Sequence, residues 1–340
     1  MSHANAMRRS LVLKRRPDGE PGPDDFQMVE TPLPQPGHGE VLTRTIWLSI
    51  DPYMRGRLYD RPSYAPAQQL GETMTGETVG EVIASADPAF QPGDYVVGSR
   101  GWETHSLSRA GTLTKLPPGG AHLSAYLGVL GMPGTTAYSG MLDIGQPKAG
   151  ETVVISAASG AVGAVAGQIA RRAGARVVGV AGGPEKCLWV QEALGFDGCI
   201  DHRAHDVATA LREACPDGID VYWENVGGAV QAAAFGQLNF FARVVMCGMV
   251  AQYNDAKPPP GPNLGFVVGK RVRIEGLIVF DKPHRYAEWR ALAAPWVADG
   301  SLRYRETISE GLDSAPEALA AVLTGGNFGK MLVRVGPERI

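Results

Sequence analysis

Residues 152–156, TVVIS, run directly into AASGAVG at 157–163 and then into a stretch that carries no charge until Arg171. Few folds accept that order. An apolar strand, a tight glycine turn and a helix open a dinucleotide-binding sheet, because glycine backbone lets a pyrophosphate reach the helix N-terminus. After the turn, Val162, Val165, Ala166, Ile169 and Ala170 recur at i, i+3, i+4, i+7 and i+8, the stripe of an amphipathic helix. Gly160 and Gly163 are then the positions where backbone approaches phosphate, with helix N–H groups meeting its charge. The charge-free run 152–170 also reaches the length of a membrane span. Ser156, Ser159, Gln168 and the glycines interrupt it, and the nucleotide turn explains them. An ordinary glycine-rich turn would leave the alternating units that follow without a reason.

Those units set the organisation. At about 150 residues per domain, a chain of 340 residues suggests two. Downstream of the turn, strands are expected at 176–180, near Cys199, at 219–224, 243–247 and 273–280, with helices between them. That alternation implies βαβ units and a doubly wound parallel sheet, an α/β fold. Upstream, short strands at 41–48, 78–84 and 95–98 are separated by PLPQPG and QPGD, which reads as a β-rich domain. From Leu302 the chain returns to strand, helix and strand, ending at 329–335, and is expected to pack back on the first domain. The last sheet strand, 273–280, reads as an apolar edge, and pairing with its twin in a homodimer would cover it.

With 32 basic against 35 acidic residues and a net charge of -3, no basic block exists to track a nucleic acid backbone. Cys187, Cys199, Cys215 and Cys247 show no CxxC spacing and read as the reduced thiols of a cytoplasmic protein. The start, MSHANAMRRS, lacks the apolar stretch of a secretory signal, and Met7 offers a second initiation point. No membrane association is expected.

Cofactor choice is read where the second strand ends. An NAD site offers a carboxylate to the ribose there, whereas this chain has Val178, Gly179, Val180, Ala181, Gly182 and Gly183. Lys186 follows, either a point charge for a 2′-phosphate or a solvated helix lysine. Zinc chemistry would need Cys and His ligands in the β-rich domain. Residues 1–128 contain no cysteine, and His38, His105 and His122 are scattered, so they read as surface or satisfied histidines. That donor set points away from Lewis-acid activation of an alcohol and toward reduction of an already activated double bond.

The motifs LSIDPYMRGR (48–57), GMPGTTAYSG (131–140), AASGAVG (157–163), WENVGG (223–228), CGMVAQYN (247–254) and GGNFGK (325–330) together resemble one family. It is the zinc-independent medium-chain dehydrogenase/reductases, in their leukotriene B4 dehydrogenase/prostaglandin reductase and curcumin reductase branch. The resemblance runs from about residue 11 to 335. It implies a GroES-like β-rich catalytic domain at 1–129 and 301–340, a Rossmann domain at 130–300, and NADPH held in a cleft between them.

By position, the resemblance assigns Gly160, Ala161, Val162 and Gly163 to the pyrophosphate and Lys186 to the 2′-phosphate. Asn225, Cys247, Gly248 and Tyr253 fall at the nicotinamide half, closed by a strand at 277–279, with Leu277 and Val279, and by Asn327. His202 stands where close relatives carry a tyrosine near the adenosine phosphate, which would make NADPH preference weaker and more pH-dependent. Met132 and Thr136 either border the nicotinamide or serve helix-start packing.

The implied reaction is hydride transfer from NADPH to the β-carbon of an enone or enal, with a hydrogen-bond donor at the enolate oxygen. Tyr253 is the first candidate for that donor and Tyr53 the second; each has a plainer reading, as a ribose contact and a cleft wall. The α-carbon would be protonated by solvent. The segment 256–263, AKPPPGPN, would border the substrate mouth. Quinone reduction, allylic alcohol oxidation and non-catalytic NADPH binding are the alternatives; Trp47, Trp189, Trp223 and Trp289 read as core or surface aromatics.

Overall fold

In a computed structural model, the described residues are 6–255, 257 and 259–338. The first five residues of the chain, and Ala256 and Pro258 of the proline-rich segment, lie outside them. Two compact units emerge: Met1–Leu127 with Glu306–Asn327 and Met331–Ile340, and Gly128–Arg305 with Phe328–Lys330.

The first unit begins with β1 (Met7–Leu13) and β2 (Phe26–Pro32), an antiparallel pair. It continues through β3 (Glu40–Ile50), α1 (Met54–Arg57), β4 (Glu77–Ser85), β5 (Tyr95–Arg100), β6 (His105–Arg109) and β7 (Thr114–Lys115). The centre is β3, which pairs with both β4 and β6. Val41, Leu42, Ile46, Trp47, Leu48 and Ile50 are all buried along it, and so are Thr43, Thr45 and Ser49, so β3 is covered on both faces over most of its length.

The second unit opens with α2 (Met132–Gly140) and then alternates: β8 (Thr152–Ser156), α3 (Gly163–Arg172), β9 (Arg176–Ala181), α4 (Pro184–Glu192), β10 (Gly198–Asp201), α5 (Val207–Ala214), β11 (Ile219–Glu224), α6 (Gly228–Phe235) and β12 (Leu238–Met246). After α7 (Gly265–Lys270) come β13 (Arg273–Gly276) and α8 (Arg285–Ala298). The six strands lie in the order β10-β9-β8-β11-β12-β13, all parallel. This is the doubly wound order, with reversal between β8 and β11. Val153, Val154, Val177, Val178, Val221 and Val244 are fully buried in it, as strands covered on both faces must be.

The tail returns to the first unit with β14 (Glu306–Glu310), α9 (Ala315–Leu323) and β15 (Lys330–Arg334). β15 lies antiparallel to β3, Met331 facing Ile50, and completes a seven-stranded sheet in the order β14-β15-β3-β4-β5-β7, with β6 paired to β3 off that path.

Two sequence expectations need correction. The edge strand stops at Gly276 instead of reaching residue 280, and Val279–Asp281 forms a 3-10 turn. Leu277 and Val279 are both buried, so these apolar side chains reach the core from the segment that follows the strand. The edge that remains is charged, with Arg273 and Glu275 exposed and paired at 3.7 Å, a common protection of an open edge. The helix α3 is also buried on more than one stripe. Gln168 is buried with it, its amide satisfied by donating to the Arg303 carbonyl at 2.8 Å and accepting from the Arg303 N–H at 2.9 Å. Trp47, Trp223 and Trp289 are core residues; Trp189 meets Phe328 edge-on at 5.3 Å.

Candidate functional site

Ligands of doubly wound sheets bind outside the carboxyl ends of the strands where the order reverses, here at the ends of β8 and β11. Ser156 closes β8 and Glu224 closes β11, and a dense network joins them. The Ser156 hydroxyl lies 3.0 Å from Glu224 Oε1 and accepts from the Asn225 N–H at 2.7 Å. Asn225 Nδ2 donates to the Ser156 carbonyl at 2.7 Å, while its Oδ1 accepts from Trp223 Nε1 at 3.0 Å. The amide face of Asn225 is thus fixed on both sides.

The glycine turn sits directly beyond Ser156. Ala157 takes φ +49, and its carbonyl accepts from the Gly160 N–H at 2.9 Å. A methyl group at Gly163 would overlap that same carbonyl oxygen, so only glycine lets α3 begin this close to the turn. Gly160 also bridges to Gly329. Val162 gives α3 no side-chain cap; Ala164 N–H donates to the Gly160 carbonyl at 3.0 Å, and an anion would be met by the rest of the first turn and the helix dipole. This cradle fits a pyrophosphate.

The loop after β12 is stitched to the same place. The N–H groups of Cys247 and Gly248 both donate to the Glu224 carbonyl at 3.0 Å, and that of Val250 donates to the Asn225 carbonyl at 3.0 Å. Tyr253 folds back so that its hydroxyl accepts from the Met249 N–H at 3.2 Å. Glu224 is fully buried, and its Oε1 accepts from Val226 N–H at 2.6 Å and Gly227 N–H at 3.0 Å. Burial pushes its carboxyl above the usual range, against the pull of those donors. Burial, then the nearby Glu224 charge, pushes the Cys247 thiol up to about 12. A thiol that stays protonated is no nucleophile.

At the other end, β10 runs beside β9 with Asp201 facing Ala181. His202 N–H donates to the Ala181 carbonyl at 3.0 Å, which sets His202 beside Gly182. Lys186 lies half-buried in the first turn of α4. Burial, with the Arg203 charge, lowers the pKa values of both Lys186 and His202. The free imidazole is therefore held toward its neutral form.

The remaining predicted residues occupy varied places. Met132 starts α2 and Thr136 bonds back to its carbonyl at 2.8 Å; the α2 end meets Trp223 and Leu277 around Gly140. Tyr53 precedes α1 in the first unit, with the Arg57 guanidinium 5.6 Å from its ring centre. Asn327 stands just before the Phe328–Lys330 stretch of the second unit. His105 and His122 contact Thr104 and Ser124 at 3.1 and 2.7 Å, and His38 is exposed. Among the described residues no group of three His, Cys, Asp or Glu side chains could hold a metal ion, so the residues present do not fit zinc. Sequence reading missed Glu224, although a carboxylate closing the buried run IDVYWE was a usable signal, and it missed the orienting role of Trp223.

Residues 9–116 match the family described as the N-terminal domain of oxidoreductase, and residues 161–299 match the one described as zinc-binding dehydrogenase. An NADPH-dependent curcumin reductase of Escherichia coli (strain K12) is 48% identical over 99% of this chain and 100% of its own. The chain belongs to the zinc-independent medium-chain dehydrogenase/reductases. A 2-alkenal reductase (NADP(+)-dependent) of Nicotiana tabacum is 39% identical over 97% of this chain and 98% of its own. The structure of CurA from Vibrio vulnificus in complex with NADPH superposes with a TM-score of 0.92 at 44% identity, covering 97% of this chain and 100% of that one. Two further medium-chain features fit: the six-stranded order and the glycine turn between β8 and α3.

Proposed function

We propose that this protein is an NADPH-dependent reductase of the C=C bond in α,β-unsaturated aldehydes and ketones. The observation that carries the reading is the end of β9, where Ala181, Gly182 and Gly183 offer no carboxylate while Lys186, His202 and Arg203 gather beside them. Such a site gathers positive charge where a 2′-phosphate would lie. The relatives' names supply the substrate class, since curcumin and 2-alkenals are conjugated carbonyl compounds.

Bound NADPH would supply the hydride that adds to the β-carbon. The chain's part is to hold and polarise. Gly160, Ala161, Val162 and Gly163 receive the pyrophosphate at the start of α3, and Lys186 and His202 receive the adenosine phosphate. Asn225, Cys247 and Gly248 line the nicotinamide half, with Met132, Thr136, Leu277, Val279 and Asn327 as its further borders. Charge grows on the carbonyl oxygen as the β-carbon is attacked, and a donor placed there lowers the barrier. Tyr253 is the first choice. Its oxygen accepts from Met249 N–H, which fixes where the hydroxyl lies. Tyr53 is the second choice.

The test mixes protein, NADPH and a panel of 2-alkenals, aryl enones and quinones, follows nicotinamide absorbance and identifies products. The saturated carbonyl is expected. A hydroquinone as the only product would assign the chain to quinone reduction, an allylic alcohol formed by hydride addition at the carbonyl carbon to the alcohol dehydrogenase reading, and no consumption to NADPH binding without catalysis.

The same reading takes the protein as a cytoplasmic homodimer. No described helix is long and apolar enough to cross a membrane, and all four cysteines are free. Phe240 and Phe241 are 62% and 63% exposed, an apolar surface that a second copy would cover. Light scattering at micromolar concentration should give twice the mass of the chain.

A further inference from the structure

The turn after β10 carries more charge than a solvated loop requires. Asp201 Oδ1 accepts from Gly183 N–H at 2.8 Å and from Arg203 N–H at 3.0 Å. One carboxylate thereby fastens the turn after β9 to the turn after β10. Its effect shows at Gly182, where an added methyl would stand 2.9 Å from Arg203 Nε and 2.9 Å from His202 Nε2. Guanidinium and imidazole therefore lie over the bare backbone that replaces the ribose carboxylate of an NAD site. Lys186, in the first turn of α4, is close enough that its charge and that of Arg203 oppose each other. Two carboxylates stand near the group: Asp201, whose Oδ1 is spent on two backbone N–H groups, and Glu185, which offsets part of the Lys186 charge. Like charges gathered at a glycine surface are costly unless an anion joins them.

We propose that Arg203 is a specificity-determining residue whose guanidinium, with the Lys186 ammonium, binds the 2′-phosphate of the dinucleotide. This rests on the NADPH reading and deepens it. A planar fork can take two phosphate oxygens at once, whereas lysine offers a point charge. His202, whose Nε2 lies as close to the Gly182 position as Arg203 Nε does, is a third donor. Held toward neutrality in the free site by burial and by Arg203, it presents one N–H until the phosphate dianion draws a second proton to it.

The experiment is calorimetric titration with 2′,5′-ADP and 5′-AMP, which differ by the 2′-phosphate alone and need no turnover. The parent protein is expected to prefer 2′,5′-ADP. In Arg203→Ala that preference should fall by about tenfold or more, with 5′-AMP affinity unchanged, and Arg203→Lys should recover part of it. Arg203 is exposed, so the variant should melt with the parent. An unchanged preference in Arg203→Ala overturns the Arg203 assignment and leaves the NADPH reading standing. A parent that does not distinguish the two ligands overturns both. Equal loss of both ligands, with a lowered melting temperature, would mean that Arg203 holds the turn and does not read the phosphate, and it too overturns the proposal.

Discussion

Asn225 Nδ2 donates to the Ser156 carbonyl at 2.7 Å, tying the end of β11 to the end of β8 where the strand order reverses. The bond makes two loops that are 69 residues apart in sequence behave as one floor for a ligand. Asn225→Ala removes it and also leaves Trp223 Nε1, in the core, without its acceptor. A cost of about 1–3 kcal/mol is expected for that orphaned donor, measured as a lower midpoint in urea. NADPH affinity should weaken as well, and an unchanged dissociation constant would detach Asn225 from the cofactor.

Gly163 tests the cradle more directly. A methyl group there runs into the Ala157 carbonyl, which is backbone and cannot rotate away. Gly163→Ala should therefore move the start of α3 away from the turn and weaken NADPH and NADH alike, because both carry the pyrophosphate. Tryptophan fluorescence titration reads it. Selective loss of NADPH would place the effect at the wrong end of the dinucleotide.

Lys186→Ala acts at that other end. The KM for NADPH should rise by about tenfold or more and the KM for NADH should barely change. Equal effects on the two would show that Lys186 serves the fold of α4 and not the phosphate.

Tyr253→Phe separates holding from chemistry. Loss of a donor to a developing oxyanion costs about 100-fold in kcat, so turnover of a 2-alkenal should fall far more than NADPH affinity. Loss of affinity with turnover intact would make Tyr253 a ribose contact and move the donor role to Tyr53.

These tests also mark what a linear reading reaches. The β8 strand and the glycine turn are local patterns, and β9 and β11 are apolar runs whose burial on both faces leaves a plain trace. The stretch 273–280 shows the limit. Its apolar residues Ile274, Leu277 and Val279 suit an edge strand, yet the sheet ends at Gly276 because Leu277 and Val279 find the core from a turn. Glu224 shows a different limit: the run IDVYWE marks a carboxylate at a strand end but not what it binds. Its partners, Ser156 and the N–H groups of Val226 and Gly227, matter only after the strands have been placed side by side, and no spacing along the chain encodes that. Arg203 shares the difficulty, since its closeness to Gly182 follows from the β9–β10 register.

Glu224 closes the argument about stability. Burial raises its folded pKa above the usual carboxylate range, so the folded chain holds this proton more tightly than the unfolded chain does. Its contribution is thus complete below the unfolded value of about 4.3 and is lost as pH rises through the folded value. Glu224→Gln keeps an oxygen for the Val226 and Gly227 N–H groups and cannot ionise. Melting temperature against pH, from about 4 to 8, should therefore decline more for the parent than for the variant, with the variant at least as stable at the upper end. Parallel profiles would mean that the neighbouring donors hold Glu224 ionised in the fold, and the buried carboxyl would then be an anchor for the Val226–Gly227 turn through its charge.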